Sequence, residues 1–322
     1  MEKLLYHYCS NQKAFAILSG KSVRMSDIQK SNDYRELSLF FPQIFNRLEQ
    51  LFSEYPIHFK YKGKTGERAF AKMLDESYGY WRHLFSTGEF SNFVLCFNEK
   101  ADSLSQWRGY ADNGNGCCLG FNKRELENYC ESTDGTLRLE KVEYLTDPGI
   151  ARAINDAAKD ILENLRGLRQ WIIENMTHDD DHPDTDGLLH FNFDGMLANT
   201  FVNSLKYKSY AFHEEEEWRL FLANPPYKNP DWLADDLEEV EWKGHDRTQK
   251  AIMFIRSRIG FFVTEDDLIP YCSINFDEFG NNPISTIWVG PKNHIRPSDL
   301  ELFLQSQGYI DTTAIRSKIT YC

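Results

Sequence analysis

The chain has 322 residues, enough for one large domain or two ordinary ones, and 41% hydrophobic with 14% aromatic residues supplies a sizeable core. A formal net charge of -13 argues against nonspecific nucleic-acid binding, which needs basic surface, although it leaves a local basic groove open. No apolar run approaches a bilayer-spanning length, and MEKLLYHYCSNQ lacks a basic head leading into a long apolar stretch, so we expect a cytoplasmic protein with no membrane partner.

LLYHYCS reads as an aromatic-rich strand. SNQKAFAILSGK reads as a helix: Ser10 is placed to cap it, Ala14, Phe15 and Leu18 share a face, and Gly20 is placed to end it. SVRMSDI follows as a second strand. Residues 34 to 90 carry apolar residues at three- and four-residue spacing and read as helical, with Pro42 starting or kinking a helix. SNFVLCFN is a strand. DSLSQWRGYA is a helix with Asp102 as N-cap and Leu104, Trp107, Tyr110 and Ala111 on one face. DNGNG is a turn, and CCLGFN a strand whose alternation sends Cys117 and Cys118 to opposite faces. LEKVEYLTD reads as one more strand. Residues 150 to 206 are helical around the acidic loop HDDDHPDTDG, and EEWRLFLAN returns to strand. The last third carries TQKAIMFIRSRIGFFVT, ISTIWVGPKN and a final helix, PSDLELFLQSQGY. Strands and helices do not alternate regularly, which argues for an α+β fold and against a doubly wound parallel sheet. The expected organisation is a single domain, 1–322, with helical insertions at about 34–90 and 150–206.

Seven irregularly spaced cysteines without a CxxC read as reduced thiols. GNGCCLG resembles a dinucleotide loop but precedes a strand, where a helix is required. The His178 to Asp186 loop mixes imidazoles and carboxylates, yet its spacing selects no metal, and none is expected. Asp231, Glu241 and Lys243 fit loosely the PD…ExK pattern of metal-dependent nucleases. Tyr6-His7-Tyr8 puts an imidazole beside aromatic surface; a hydrogen-bonded core histidine accounts for it equally well. Ser31-Asn32-Asp33 reads as a turn or cap. Trp107-Arg108-Gly109-Tyr110 offers a guanidinium between rings, or two core aromatics with Arg108 solvated. The run Glu214 to Glu217 stands just before a strand. Alternation there places Glu215, Glu217 and Arg219 on one face, a cluster suited to polarise a hydroxyl or steady a cation. An ion pair at a strand edge explains the same residues.

The order of these pieces resembles a bacterial domain-of-unknown-function family, numbered 2971. The residues that carry the resemblance are Leu5 to Ser10, Ser26-Asp27, Asn32-Asp33, Cys96 to Phe121, Glu215 to Arg219 and Ile284 to Pro291. That family implies no function. A second resemblance does. The opening strand with Tyr-His, the helix after it and the strand SVRMSDI are similar to the start of the DNA-targeting ADP-ribosyltransferase toxins. EEEEWRLF looks like the E-x-E strand of that superfamily.

This resemblance implies an ADP-ribosyltransferase-like split mixed sheet with helical insertions, and NAD as substrate. His7 would hold NAD, Glu217 would stabilise the ribosyl cation, and Glu215 would help choose the acceptor. Ser26 would take the second-strand position, and Tyr6, Tyr8 or Trp107 would stack on the nicotinamide. Asn32, Arg108, Tyr110 and Arg219 complete the expected nucleotide-binding set. The chain departs from the pattern in having no first-strand arginine, no Ser-Thr-Ser on the second strand, and no counterpart for residues 34 to 90. The expected function is NAD-dependent ADP-ribosyl transfer or NAD cleavage by a toxin or antiphage effector. The acceptor is open among protein, nucleic acid and water, with a basic stripe at Lys206, Lys208 and Lys228 needed for duplex DNA. The alternatives are a metal-dependent nuclease and a non-enzymatic nucleotide- or protein-binding module.

Overall fold

The computed structural model describes residues 3–30, 40–55, 60–90, 92–175, 183–223, 225 and 246–321. Leu4–Cys9 forms β1, Asn11–Gly20 α1 and Ser22–Asp27 β2. Ser10 caps α1 by accepting the Lys13 N–H. The helix ends at the expected Gly20, and the left-handed cap is the next residue: Lys21 (φ 45°) returns its N–H to the Ile17 carbonyl. Next come α2 (Gln43–Glu54), the short strands β3 (Lys60–Tyr61) and β4 (Lys64–Thr65), and α3 (Gly66–Thr87). The middle of the chain holds β5 (Phe93–Asn98), α4 (Leu104–Tyr110), β6 (Cys117–Asn122), α5 (Lys123–Ser132), β7 (Leu137–Lys141) and β8 (Glu143–Leu145). It continues through α6 (Asp147–Asn175), α7 (Pro183–Ser204), β9 (Tyr207–Ser209), a 3-10 helix over Tyr210–Glu215 and β10 (Glu217–Leu222). The last part is α8 (Asp246–Arg256), β11 (Ile259–Val263), β12 (Leu268–Asn275), β13 (Ile284–Val289), α9 (Pro297–Ser306) and β14 (Thr313–Arg316).

Ten strands join one sheet in the order β11-β12-β2-β5-β1-β6-β13-β14, with β10 on β5 and β7 on β10. The β13–β14 pair is parallel and the other pairs of this sheet are antiparallel. The expected strand LEKVEYLTD breaks at Val142. There β7 stays with β10, while β8 leaves to pair in parallel with β9.

The sheet is covered on both faces. Val94 and Phe221 pack into a core built by α2, α3, α6 and α7. Their neighbours Phe93, Leu95, Phe97, Leu220 and Leu222 pack into a second core with α1, α5, α8 and α9. This period-two division explains why FVLCF and LFL read as nearly continuous apolar runs. The same alternation sends Cys117 to the second core and Cys118 to a small third cluster with Tyr8 and Trp107. Asp102 does not cap α4. Ser103 holds that position without a side-chain bond, and the Asp102 carboxylate accepts the Trp107 indole N–H (2.7 Å), the Ser317 hydroxyl (2.6 Å) and the Lys318 N–H (2.8 Å). Tyr110 also leaves the buried face of α4 and is 42% exposed.

The DNGNG turn is a backbone-packing site. Gly116 accepts the Gly290 N–H at 3.0 Å, and Gly114 accepts the Lys292 N–H at 2.9 Å. A Cβ on Gly116 would stand 2.2 Å from the Cys9 carbonyl, whereas one on Gly109 in α4 would meet nothing within 4 Å. Thermal and urea unfolding of the two alanine variants test this contrast. Gly116→Ala should lose about 1–3 kcal/mol, and Gly109→Ala should hold or gain about 0.5–1 kcal/mol. Equal stabilities would mean that the turn does not depend on close backbone approach.

Candidate functional site

The site begins with an imperfection in the sheet. β10 runs along one edge of β5 from Val94 to Asn98. Two strands share the other edge: β2 pairs at Phe93 and Val94, and β1 at Asn98 alone. No register joins Leu95, Cys96 or Phe97 to either of them. At this gap the His7 Nδ1 lies 2.9 Å from the Cys96 carbonyl. A carbonyl only accepts, so Nδ1 carries the proton and Nε2 keeps a lone pair. Burial pushes the His7 pKa down, the Cys96 bond opposes this, and Lys13 adds to the depression, leaving a neutral ring.

A cleft of about 70 Å³ opens where the strands part. It is lined by Tyr6, His7 and Tyr8 of β1 and by Cys96, Phe97 and Asn98 of β5. Gln106 and Tyr110 of α4, with Glu215 and Glu217, complete it. The three consecutive β1 residues all reach it, although Tyr6 and Tyr8 pack with the third cluster while Leu5 and Cys9 belong to the second core. Tyr8 is fixed: its hydroxyl donates to the Lys100 carbonyl (2.8 Å) and accepts the Ser103 N–H (3.0 Å). Trp107 is wholly buried edge-on against Tyr8, with centroids 4.9 Å apart. It supports the cleft wall and does not line it.

Strand alternation is not what brings the glutamates together. Glu217 opens β10, Glu215 closes the 3-10 helix, and Glu216 between them takes a left-handed turn (φ 44°). Lys208 of β9 joins them, with Nζ 2.6 Å from Glu215 Oε2 and 3.2 Å from Glu217 Oε2. Arg219 does share the Glu217 face. Its Nε and Nη2 donate to the two Glu217 oxygens at 2.8 and 3.1 Å, and its Nη1 donates to the Leu205 carbonyl at 2.8 Å. Lys208 and Arg219 are each 1% exposed and Glu217 5%. Burial raises the Glu217 pKa, but the Arg219 and Lys208 charges, with hydrogen bonds from Arg219 and Cys96, reverse this and bring it to about 2. Glu215 is half-buried and accepts the Tyr110 hydroxyl at 2.9 Å, a bond that links α4 to the 3-10 helix across the cleft mouth.

The other expected residues are dispersed. Ser26 lies on β2 opposite Val94 and Tyr271, away from the cleft lining. Arg108 is exposed and sits over the Tyr321 ring at 4.7 Å. Arg219 is sealed beneath Glu217. Asn32, Lys228, Asp231, Glu241, Lys243 and residues 178 to 182 of the acidic loop fall outside the described residues. Lys206 pairs with Glu143 at 3.8 Å and Lys208 is enclosed by glutamates, so these two do not supply a basic stripe.

Two residues of the site, Tyr144 and Gln106, have no place in the sequence reading, and Lys208 stands there only in a basic stripe. Lys208 reaches the glutamates from another strand. The Tyr144 hydroxyl accepts the Glu217 N–H at 2.8 Å. Gln106 is 6% exposed, and its carboxamide makes no hydrogen bond among the described residues. Its one local signal is spacing, since Gln106 and Tyr110 stand four apart and share a helix face.

This is a mixed α/β protein with a large mixed sheet and several helices, and with a small cleft between β1, β5 and the start of β10. Over residues 106–220 the chain matches the model of DUF2971, a family described as a protein of unknown function. The matched stretch includes Gln106 and Glu217 and leaves β1 outside it. No curated protein and no solved structure matches the chain. Among the described residues, no helix is long and apolar enough to cross a membrane.

The Glu217 environment has a pH signature. Its carboxyl lies below the ordinary 4.5 in the folded state, so its stabilisation is complete above about 4.5 and fades as pH falls towards 2. Glu217→Gln leaves Lys208 and Arg219 buried with less compensation and should cost about 3–5 kcal/mol at neutral pH. The variant should also flatten the acid limb. Urea unfolding at pH 7, 4 and 3 measures both, and an unchanged acid limb would show that Glu217 is not the group responsible.

Proposed function

We propose that the cleft binds NAD and breaks its nicotinamide–ribose bond, passing the ADP-ribosyl group to an acceptor or to water. The observation that carries this reading is the convergence of His7 and Glu217, 210 residues apart in sequence, on one cleft at a parting of the sheet. Such a parting is what an ADP-ribosyltransferase-like split sheet requires. The neutral His7, with Nδ1 bound to Cys96, offers Nε2 as an acceptor for a ribose hydroxyl. Glu217 stays anionic at neutral pH and suits electrostatic stabilisation of an oxocarbenium-like centre. The C1′–N bond breaks with its electron pair leaving on nicotinamide. As that bond breaks, the acceptor O–H or N–H adds to C1′ and gives its proton to Glu215.

Size sets a condition. Small-molecule sites span about 300–1,000 Å³, so a cleft of about 70 Å³ admits only one planar end of the dinucleotide. The remainder would lie outside it, beside Tyr110, which is 42% exposed. Lys100 pairs with Glu216 at 2.6 Å. An exposed pair of this kind contributes about 0–1 kcal/mol, so its lysine turns to a phosphate at little cost.

A second reading rests on a specific observation. Both Glu217 oxygens are already held by Arg219 and Lys208, a geometry equally suited to binding a nucleotide without turnover. Nicotinamide release from NAD, followed by chromatography with and without cell lysate, separates the two. Transfer predicts release that falls at least about 100-fold in His7→Ala and Glu215→Gln, while both variants keep their cooperative unfolding. Glu215 is preferred to Glu217 for this test because it is less enclosed. Thermal stabilisation by NAD with no release would favour the binding module. Release unchanged in both variants would end the proposal for this cleft.

A further inference from the structure

Gln106 is a polar side chain of the cleft that neither fold nor ion network accounts for. It is 6% exposed, in α4 beside the buried Trp107. Its carboxamide has no hydrogen-bond partner among the described residues, yet its atoms are not sealed from solvent, and the side chain lines the cleft. A buried amide left unsatisfied is costly, and native proteins keep few of them. Three of the polar groups around it are already committed, while the Tyr6 hydroxyl, like Gln106, has no hydrogen bond among the described residues. Asn98 gives its amide to the Glu215 carbonyl and accepts the Lys100 N–H, Tyr8 is committed to Lys100 and Ser103, and Tyr110 to Glu215. Across the cleft, His7 Nε2 is another uncommitted polar atom, and it only accepts.

We infer that Gln106 is a specificity-determining residue that reads a planar carboxamide on the ligand. A glutamine side chain presents one donor group and one acceptor, the complement of another primary amide. A ligand amide accepting from Gln106 Nε2 and donating to its Oε1, with its second N–H within the reach of an acceptor such as His7, would satisfy both side chains. A carboxylate in the same place would lack both donated bonds and would stand beside Glu215 and Glu217. The cleft therefore selects the amide over the acid. On the NAD reading, which this inference deepens, the amide is that of nicotinamide. The amide selection itself does not require bond cleavage.

The test uses the full chain with free nicotinamide and nicotinate as probes, by calorimetric titration, alongside NAD cleavage. The variants are Gln106→Met, which keeps length and volume, and Gln106→Leu. Because the wild-type amide has no internal partner, both variants should melt at or above the wild-type temperature; a structural role would lower it. The wild type should bind nicotinamide at least about tenfold more tightly than nicotinate. Both variants should lose that preference and raise the KM for NAD about tenfold with a smaller change in kcat. Amide preference that depends on Gln106, without any NAD cleavage, upholds this inference while ending the transfer reading. NAD cleavage with unchanged KM in both variants does the reverse. Nicotinamide binding equal to nicotinate, or no binding of either, overturns the role of Gln106 outright, as does a lowered melting temperature in both variants.

Discussion

Glu217 is a carboxylate inside the protein, and much of the architecture near the cleft follows from how it is satisfied. Lys208 and Arg219 enclose it, and Glu215 completes a set of two cations and two anions. Removing an ion from water costs several kcal/mol even after relaxation, so such a set is stable only when complete. The set also spans elements. Lys208 comes from β9, Glu215 from the 3-10 helix, and Glu217 and Arg219 from β10, while Arg219 holds the Leu205 carbonyl just past α7. One electrostatic cluster thus fixes the exit of the helical layer to the sheet, at the floor of the cleft.

That arrangement divides the cleft chemically. Below lies a fixed anion, because Glu217 is held at about 2 by cations that are themselves buried. Above lie the half-buried Glu215, the exposed Tyr110 that binds it, and the His7 lone pair. A run of four glutamates therefore serves three purposes. Glu217 is the fixed anion, Glu215 faces the cleft, and Glu216 turns outward in a left-handed conformation to meet Lys100. Glu214 is simply exposed.

What the sequence revealed was local. The Ser10 cap, the alternation at Cys117 and Cys118, and the apolar runs of β5 and β10 all depend on neighbours within a few residues, and these were legible. What it concealed was partnership at a distance. Asp102 has the chemistry of a helix cap, but Ser317 and Lys318 arrive from the far end of the chain to claim its carboxylate. β12 contains Pro270, which argues against a central strand. It is accommodated because pairing with β2 begins only at Tyr271, leaving Pro270 opposite β11 alone. Glu215 and Glu217 were brought together by sequence alternation in the reading, and by Lys208 in the fold. Gln106 was invisible because its significance lies in a missing partner, which no spacing encodes.

The cleft is a consequence of an incomplete strand pairing, and this binds site to fold. β1 pairs with β6 at all six of its residues but meets β5 at Asn98 alone. Had β1 closed along β5, a strand N–H would stand where the imidazole now reaches the Cys96 carbonyl, and the space would be lost. His7 substitutes for the absent strand contact by donating from Nδ1. The same bond fixes its tautomer and leaves Nε2 as a lone-pair acceptor in a neutral ring. A histidine satisfied within the core and a histidine prepared for a ligand are therefore not competing descriptions. The structural hydrogen bond at one nitrogen is what defines the chemistry of the other.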